Sequence, residues 1–231
     1  MERVELPVGT ALDLSAYVTE REGYDFTGWY LDAALTQPIT SLTLEADTTV
    51  YAGWRIRNPF VDVAEKDYFY DAVLWGVENG VVKGMDETHF EPETVCTRAQ
   101  ALTFLWRANG MPQPKTTTNP FVDVDASAYY YDAVLWGVEN GIVKGMDETH
   151  FEPDTACSRA HALTFLWRAK GMPQASGTTF ADVPANAYYA QAVAWGVENG
   201  IVKGMDETHF EPDTLCQRAH AVTFLWRAYA N

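Results

Sequence analysis

GMDETHFEPETVCTRAQALTFLWRA, residues 84–108, returns almost unchanged at 145–169 and again at 204–228. Self-similarity at a fixed spacing is the signature of a repeat architecture and overrides any purely local reading. Trp75, Trp136 and Trp195 occupy equivalent places, as do Lys83, Lys144 and Lys203. The pattern sets repeats at 58–117, 118–177 and 178–231, joined by MPQPKTTTN and MPQASGTT, whose Pro, Gly and Thr content marks surface connections.

Each repeat predicts two helices. In YFYDAVLWGVENG, Phe69, Ala72, Val73, Gly76 and Val77 fall on one stripe at helical spacing, and Asn79-Gly80 supplies a stop. After VVKG and the loop MDETHFEPETV, a second helix begins near Thr97 and carries Ala101, Leu102, Leu105 and Trp106 toward a core. One helix pair of this size buries too little surface to stand alone. The expected architecture is therefore mainly α: a closed pseudo-threefold assembly of three helix-loop-helix repeats sharing a central helical bundle, acting as a monomer.

The first 57 residues differ. DFTGWYLD and LTLEADTTVYAGW alternate apolar and polar positions and are rich in Thr, Val, Tyr and Trp, which predicts a separate β-rich module over 1–57. Asp47 is expected in a hairpin turn, and Tyr24, Phe26, Trp29 and Trp54 in a small core. Residues Arg55–Asn58 are expected to join this module to the repeats.

The totals fit a folded chain with ring surfaces to spare: 231 residues, 47% hydrophobic, eight Trp and twelve Tyr. A formal charge of -16 repels nucleic acid and anionic lipid at long range. No apolar run long enough to cross a bilayer is present, and the start, MERVELPVGT, reads as cut from a longer chain. Cys96, Cys157 and Cys216 fall one per repeat with no zinc-type spacing, which predicts small buried apolar residues rather than a disulfide or metal framework. No cofactor is implied.

The helix start carries the chemistry. Thr97-Arg98-Ala99-Gln100 has the form of a capping box. Ser158 and His161 occupy these places in the second repeat, Gln217 and His220 in the third, where Gln is a poorer cap. Histidine there is expected to stay neutral beside the backbone dipole. Arg98, Arg159 and Arg218 sit at the first helical position, where the dipole disfavours a cation. Free amides plus a guanidinium fork match a carboxylate or phosphate, so an anionic ligand explains the choice; pairing with acidic residues of a neighbouring repeat explains it as well. On the ligand reading, replacing Arg98 and Arg159 by Ala abolishes binding and leaves the helices intact. Trp75, Trp136 and Trp195 lie on the side of the first helix away from the apolar stripe, two of them beside Asp71 and Asp132, and suit sugar rings, although an aromatic on a helix is more often core. Gly84, Gly145 and Gly204 permit a turn and bring backbone near a ligand.

The pattern FVDV at 60, FVDV at 121 and FADV at 180, followed by a helix, a glycine turn, an F-x-P loop and a C-x-R-A helix start, resembles the S-layer homology domain. The resemblance implies a pseudo-trimer that anchors exported proteins of Gram-positive bacteria to secondary cell-wall polysaccharide, often through a pyruvylated amino sugar held between repeats. It places functional positions at Arg98, Arg159 and Arg218, at Gly84, Gly145 and Gly204, and at Asp62, Asp123 and Asp182. The family's T-R-A-E glutamate is Gln100, His161 or His220 here, and its tryptophan at the first helix start is Tyr68, Tyr129 or Tyr188. GYDFTGWYLD...TTVYAGW resembles the Listeria-Bacteroides repeat, a β-grasp-like unit that implies a spacer or adhesion role and a place for protein partners. The expected function is thus non-catalytic anchoring at the bacterial surface. Asp86, Glu87 and His89 lack the spacing of a catalytic or calcium motif. The alternative is a protein-binding repeat scaffold or adhesin stalk.

Overall fold

The computed structural model describes residues 4–177 and 180–230, in two units that divide after Asn58. The expected start of the third repeat at residue 178 lies outside the described residues.

Among the described residues the first unit holds five short strands: β1 (Ala11–Asp13), β2 (Tyr24–Tyr30), β3 (Pro38–Ile39), β4 (Ser41–Thr43) and β5 (Tyr51–Ile56). They form a three-stranded antiparallel sheet in the order β3-β2-β5 and a separate β1-β4 pair. The register sets Phe26 opposite Trp54, and Phe26 meets both Trp29 and Trp54 edge-on at 5.5 Å. This aromatic cluster decides the pairing and corrects one expectation. Asp47 is not in a hairpin turn, because β4 and β5, which flank it, belong to different sheets.

Among the described residues the second unit contains six α-helices: α1 (Tyr70–Glu78), α2 (Arg98–Ala108), α3 (Tyr131–Glu139), α4 (Arg159–Ala169), α5 (Ala190–Glu198) and α6 (Arg218–Tyr229). The nine-residue helices α1, α3 and α5 end at Asn79, Asn140 and Asn199, and the glycine after each takes a φ of +66°, the left-handed conformation that closes a helix. The chain then turns straight back, with the amides of Val81 and Val82 both donating to Gly76 O and both side chains buried. Ala72 and Val73 of α1 and Ala101, Leu102, Phe104 and Leu105 of α2 join one hydrophobic core.

The two helices of a repeat are not the main packing partners of each other. Instead α2 packs on α3, α4 on α5 and α6 on α1, while α2, α4 and α6 also meet one another. Glycine permits the close approach: a Cβ on Gly76 would lie 2.9 Å from Val222, and one on Gly137 or Gly196 would crowd Leu102 or Leu163. Each repeat therefore completes its neighbour, which is why one copy cannot bury its own apolar faces.

The cysteines lie where the repeats meet. Cys96 N–H donates to Cys216 O at 2.9 Å, Cys157 N–H to Cys96 O at 2.8 Å and Cys216 N–H to Cys157 O at 2.7 Å, a closed cycle of three peptides. All three thiols are free and buried. Burial pushes the Cys96 and Cys157 thiols up to about 12 and Cys216 well above its ordinary range. The thiolate is the reactive form. Folded protein is thus expected to leave all three unmodified by an aromatic disulfide reagent and to release three equivalents in denaturant; rapid native labelling would contradict this burial.

Candidate functional site

The helix starts show what the arginines do. Thr97 Oγ1 accepts Gln100 N–H and Gln100 Oε1 accepts Thr97 N–H, a complete capping box. Ser158 Oγ accepts His161 N–H, and Gln217 makes no side-chain cap, the order expected from their chemistry.

The first two amides of each helix are not free. Arg98 N–H and Ala99 N–H donate to Thr155 O and Pro153 O; Arg159 and Ala160 donate to Thr214 O and Pro212 O; Arg218 and Ala219 donate to Thr94 O and Pro92 O, at 2.9–3.0 Å. The expectation of open amides is thereby corrected. Carbonyl oxygens of the adjoining repeat take the place assigned to an anion, and they carry the partial negative charge that a helix start attracts.

The guanidinium groups extend the same contact. Arg98 Nε donates to Phe151 O at 3.0 Å and its Nη2 to Lys144 O at 3.1 Å. Arg159 does so to Phe210 O and Lys203 O at 3.2 and 3.0 Å, and Arg218 to Phe90 O and Lys83 O at 2.8 and 2.7 Å. Each side chain is only 2–3% exposed and lies over two phenylalanine rings. Among the described residues no carboxylate stands at ion-pair distance from any of the three, so pairing with acidic residues is not how they are held. Burial lowers the pKa of all three from the ordinary arginine value, and the cations persist. The Nη1 groups are the remaining donors, and none is a fully buried, unpartnered atom among the described residues.

The other sequence-selected residues divide. Asp62 accepts Phe90 N–H and Glu91 N–H at 2.9 and 2.7 Å, and Asp123 and Asp182 repeat this with Phe151, Glu152, Phe210 and Glu211. They shape the loop that the arginines grip. At Asp182 burial works to raise the pKa, but the Phe210 and Glu211 amides outweigh it and hold the carboxyl low. Gly84, Gly145 and Gly204 are required by their own loops: a Cβ on Gly84 would collide with Asp86 O and lie 2.5 Å from Phe60 and 2.8 Å from His89 O. Trp136 and Trp195 are 7% exposed and Trp75 packs partly buried against the core, so the expectation of solvent-facing tryptophans is corrected.

Tyrosine is the ring that remains accessible. Tyr68, Tyr129 and Tyr188 are 54–59% exposed. Tyr188 of the third repeat stacks on His161 of the second, within electrostatic reach of Arg98 of the first. Tyr68 of the first stacks on His220 of the third, near Arg159 of the second. Tyr129 of the second lies near Arg218 of the third, and Gln100 of the first is the sequence counterpart of the two histidines. The two tyrosine–histidine pairs thus each stand near an arginine of the remaining repeat. Only the tyrosine's place as a substitute for the family tryptophan hinted at this in the sequence. A neighbouring open cavity of about 400 Å³ is lined by Asp182, Pro184, Tyr189, Glu211, Pro212, Asp213 and Thr214. Its Asp213 also interacts with His161 and Tyr188. Carboxylates beside rings are hydrogen-bond acceptors for sugar hydroxyls.

The histidines carry a pH expectation. Burial, the larger cause, and the arginine cation lower the pKa of His161 and His220 below 6.5, with Asp213 partly opposing this at His161. The unfolded chain binds protons first on acidification, so the stability that neutral rings confer is present above about pH 6.5 and is lost as pH falls toward the lower folded values. Histidine-to-glutamine replacement at both sites is expected to flatten the melting temperature between about pH 6.5 and 5; an unchanged slope would remove the histidines from the account. Asp86, Asp147 and Asp206 act lower, because amides of the following Thr and His residues hold them at about 2.

A family model for the S-layer homology domain matches residues 59–102, 120–163 and 179–222, and one for the Listeria-Bacteroides repeat domain matches 5–53. The Surface-layer 125 kDa protein of Lysinibacillus sphaericus is 31% identical over 68% of this chain and 14% of its own length. S-layer protein sap of Bacillus anthracis is 29% identical over 72% of this chain and 20% of its own length. Amylopullulanase of Thermoanaerobacterium thermosulfurigenes is 25% identical over 76% of this chain and 10% of its own length. The matched stretch is at most a fifth of each of these relatives.

Proposed function

With three repeats matched over more than half its length, the chain belongs to the S-layer homology domain family, and from that premise we propose that its second unit is a pseudo-threefold, non-catalytic anchor for acidic secondary cell-wall polysaccharide. A place at the bacterial cell wall follows from the family and from the surface-protein relatives. No helix among the described residues is long and apolar enough to cross a membrane. The matched repeats recur in relatives named for a surface layer and for an enzyme, as a portable anchor would.

The observation that carries the proposal is the cleft composition. Each of the clefts at Tyr188, Tyr68 and Tyr129 combines an accessible ring from one repeat with a buried arginine cation, unmatched by any carboxylate at contact distance, from another. In a chain of charge -16 these cations make the clefts the local exceptions that attract an anionic sugar. The tyrosine supplies a flat apolar face for the sugar ring, and the arginine supplies positive charge for an acidic substituent such as a ketal carboxylate. On this reading Arg98, Arg159 and Arg218 both hold the repeats together and charge the clefts; Asp62, Asp123, Asp182, Gly84, Gly145 and Gly204 set the loop beside the ligand.

The protein is expected to sediment with Lysinibacillus sphaericus sacculi that retain their polysaccharide and to stay in solution with sacculi stripped of it. Equal sedimentation with both would favour a peptidoglycan or protein partner and overturn the proposal.

A further inference from the structure

The linkers between repeats are held by bonds that recur. Trp106 Nε1 of α2 donates to Pro112 O at 2.9 Å, and from three residues further on the amides of Lys115 and Thr116 donate to Glu139 Oε2 of α3 at 2.7 and 3.2 Å. In the second linker Trp167 Nε1 of α4 donates to Pro173 O at 2.9 Å, Ser176 N–H to Glu198 Oε1 of α5 at 2.7 Å, and Ala175 N–H to Gln191 Oε1 at 3.1 Å. Each linker is thus a strap fastened at both ends to one packed helix pair, α2 on α3 and α4 on α5.

The third packed pair, α6 on α1, presents the same groups without such a strap among the described residues. Trp226 is the counterpart of Trp106 and Trp167, Glu78 of Glu139 and Glu198, and Asp71 of Gln191. Trp226 Nε1 and the carboxylates of Glu78 and Asp71 make no hydrogen bond or ion pair among the described residues. Glu78 and Asp71 are exposed, and Trp226 is half-buried with its Nε1 not among the fully buried unpartnered atoms. Trp75, one turn before Glu78, is also only partly buried, whereas Trp136 and Trp195 of the strapped pairs are 7% exposed. FVDV at 60 and at 121 sets an offset of 121-60 = 61, so the counterpart of 112–117 is 51–56, and those residues form β5, paired with β2.

We propose that the junction of α6 with α1 is a docking track for an extended, lysine-bearing peptide segment of a second polypeptide, bound as this chain binds its own linkers. The occupant supplies a backbone carbonyl to Trp226 Nε1 and, three residues further on, an N–H to Glu78; the N–H just before that one meets Asp71, as Ala175 meets Gln191. Both donors then bond to charged acceptors, which strengthens them. The two carboxylates of α1 also favour a cation, and the first linker carries Lys115. Backbone spacing sets the register: MPQPKTTTN and MPQASGTT share little beyond Met-Pro-Gln, yet in both the proline carbonyl and the amide three residues on make the bonds.

The probe is the first linker itself, MPQPKTTTN, residues 111–119, acetylated and amidated and titrated into the whole chain. One peptide is expected to bind per chain and to shift the Trp226 Nε1–H signal. Glu78→Ala, at an exposed position, and Trp226→Phe are each expected to weaken binding about tenfold by removing one partner. Glu139→Ala, whose carboxylate already holds Lys115 and Thr116, is expected not to weaken it. The same peptide N-methylated at its lysine and the next threonine has no N–H for Glu78 and should fail to bind. No saturable binding, binding undiminished in both Glu78→Ala and Trp226→Phe, or equal binding of the N-methylated peptide would overturn the inference. Self-association that the peptide reverses would assign the junction to a second copy of the chain and overturn it as well. None of these readouts involves wall polysaccharide, so the anchoring proposal stands or falls separately.

Discussion

Arg218→Ala is expected to unfold the junction between the third and first repeats rather than merely silence a binding site. The substitution removes donors from Phe90 O and Lys83 O and takes a guanidinium from between the Phe90 and Phe104 rings. Stranding two acceptors in a region the side chain had sealed costs about 3 kcal/mol or more. In a domain of this size that lowers the melting temperature by roughly 6 to 12 °C. Arg218→Lys keeps a charge but cannot span both carbonyls with one planar fork, so it should recover only part of the loss. The same ordering is expected at Arg98 and Arg159, whose bonds run to the second and third repeats. A melting temperature unchanged from the parent in Arg218→Ala would show that the junction does not depend on these bonds. The sequence-based expectation that alanine leaves the helices intact is therefore replaced.

Gly145→Ala should be nearly as damaging, and for a reason unrelated to ligand contact. The new methyl group would overlap Asp147 O and lie 2.6 Å from both His150 O and Phe121. Two of those three neighbours are backbone atoms of the turn itself, so relief requires opening the loop whose Phe151 and Lys144 carbonyls Arg98 grips. Overpacking of this kind costs roughly 2 to 3 kcal/mol. Differential scanning calorimetry of Gly145→Ala beside Gly80→Ala makes the comparison: Gly80 has open space around it and only its φ of +66° to object. Equal, small losses at both positions would contradict the packing described for the loop.

Much of the fold was legible because repetition multiplies weak local signals. Three copies of one stripe identify the helices, and three Asn-Gly stops end the first of each pair. The capping grades of Thr97, Ser158 and Gln217 were also readable, since a cap depends on three adjacent residues. What spacing could not tell is which oxygen meets a given N–H. Arg98 was rightly singled out as a cation in a place that local stability disfavours, yet its partners are backbone carbonyls 46 and 53 residues away. Carbonyls carry no residue-type signature, so an amide-and-guanidinium site reads alike whether an anion or a neighbouring chain segment fills it. The tryptophans misled for a related reason: they lie off their own repeat's stripe, yet Trp136 and Trp195 belong to the shared core, and burial by residues distant in sequence leaves no local mark. Asp47 failed because strand pairing in the first unit is set by where Phe26 and Trp54 meet, not by the nearest turn residues.

Acidic polysaccharide is expected to lie on Tyr68, Tyr129 and Tyr188 between the repeats. Backbone and side-chain chemical-shift mapping during titration with wall polysaccharide isolated from Lysinibacillus sphaericus tests it most directly. The expected shifts gather at Tyr68 with His220, at Tyr188 with His161 and at Tyr129 with Gln100, followed by the Nη1 signals of the neighbouring arginines. A saturable response confined to other surfaces, with these residues unmoved, would contradict the claim.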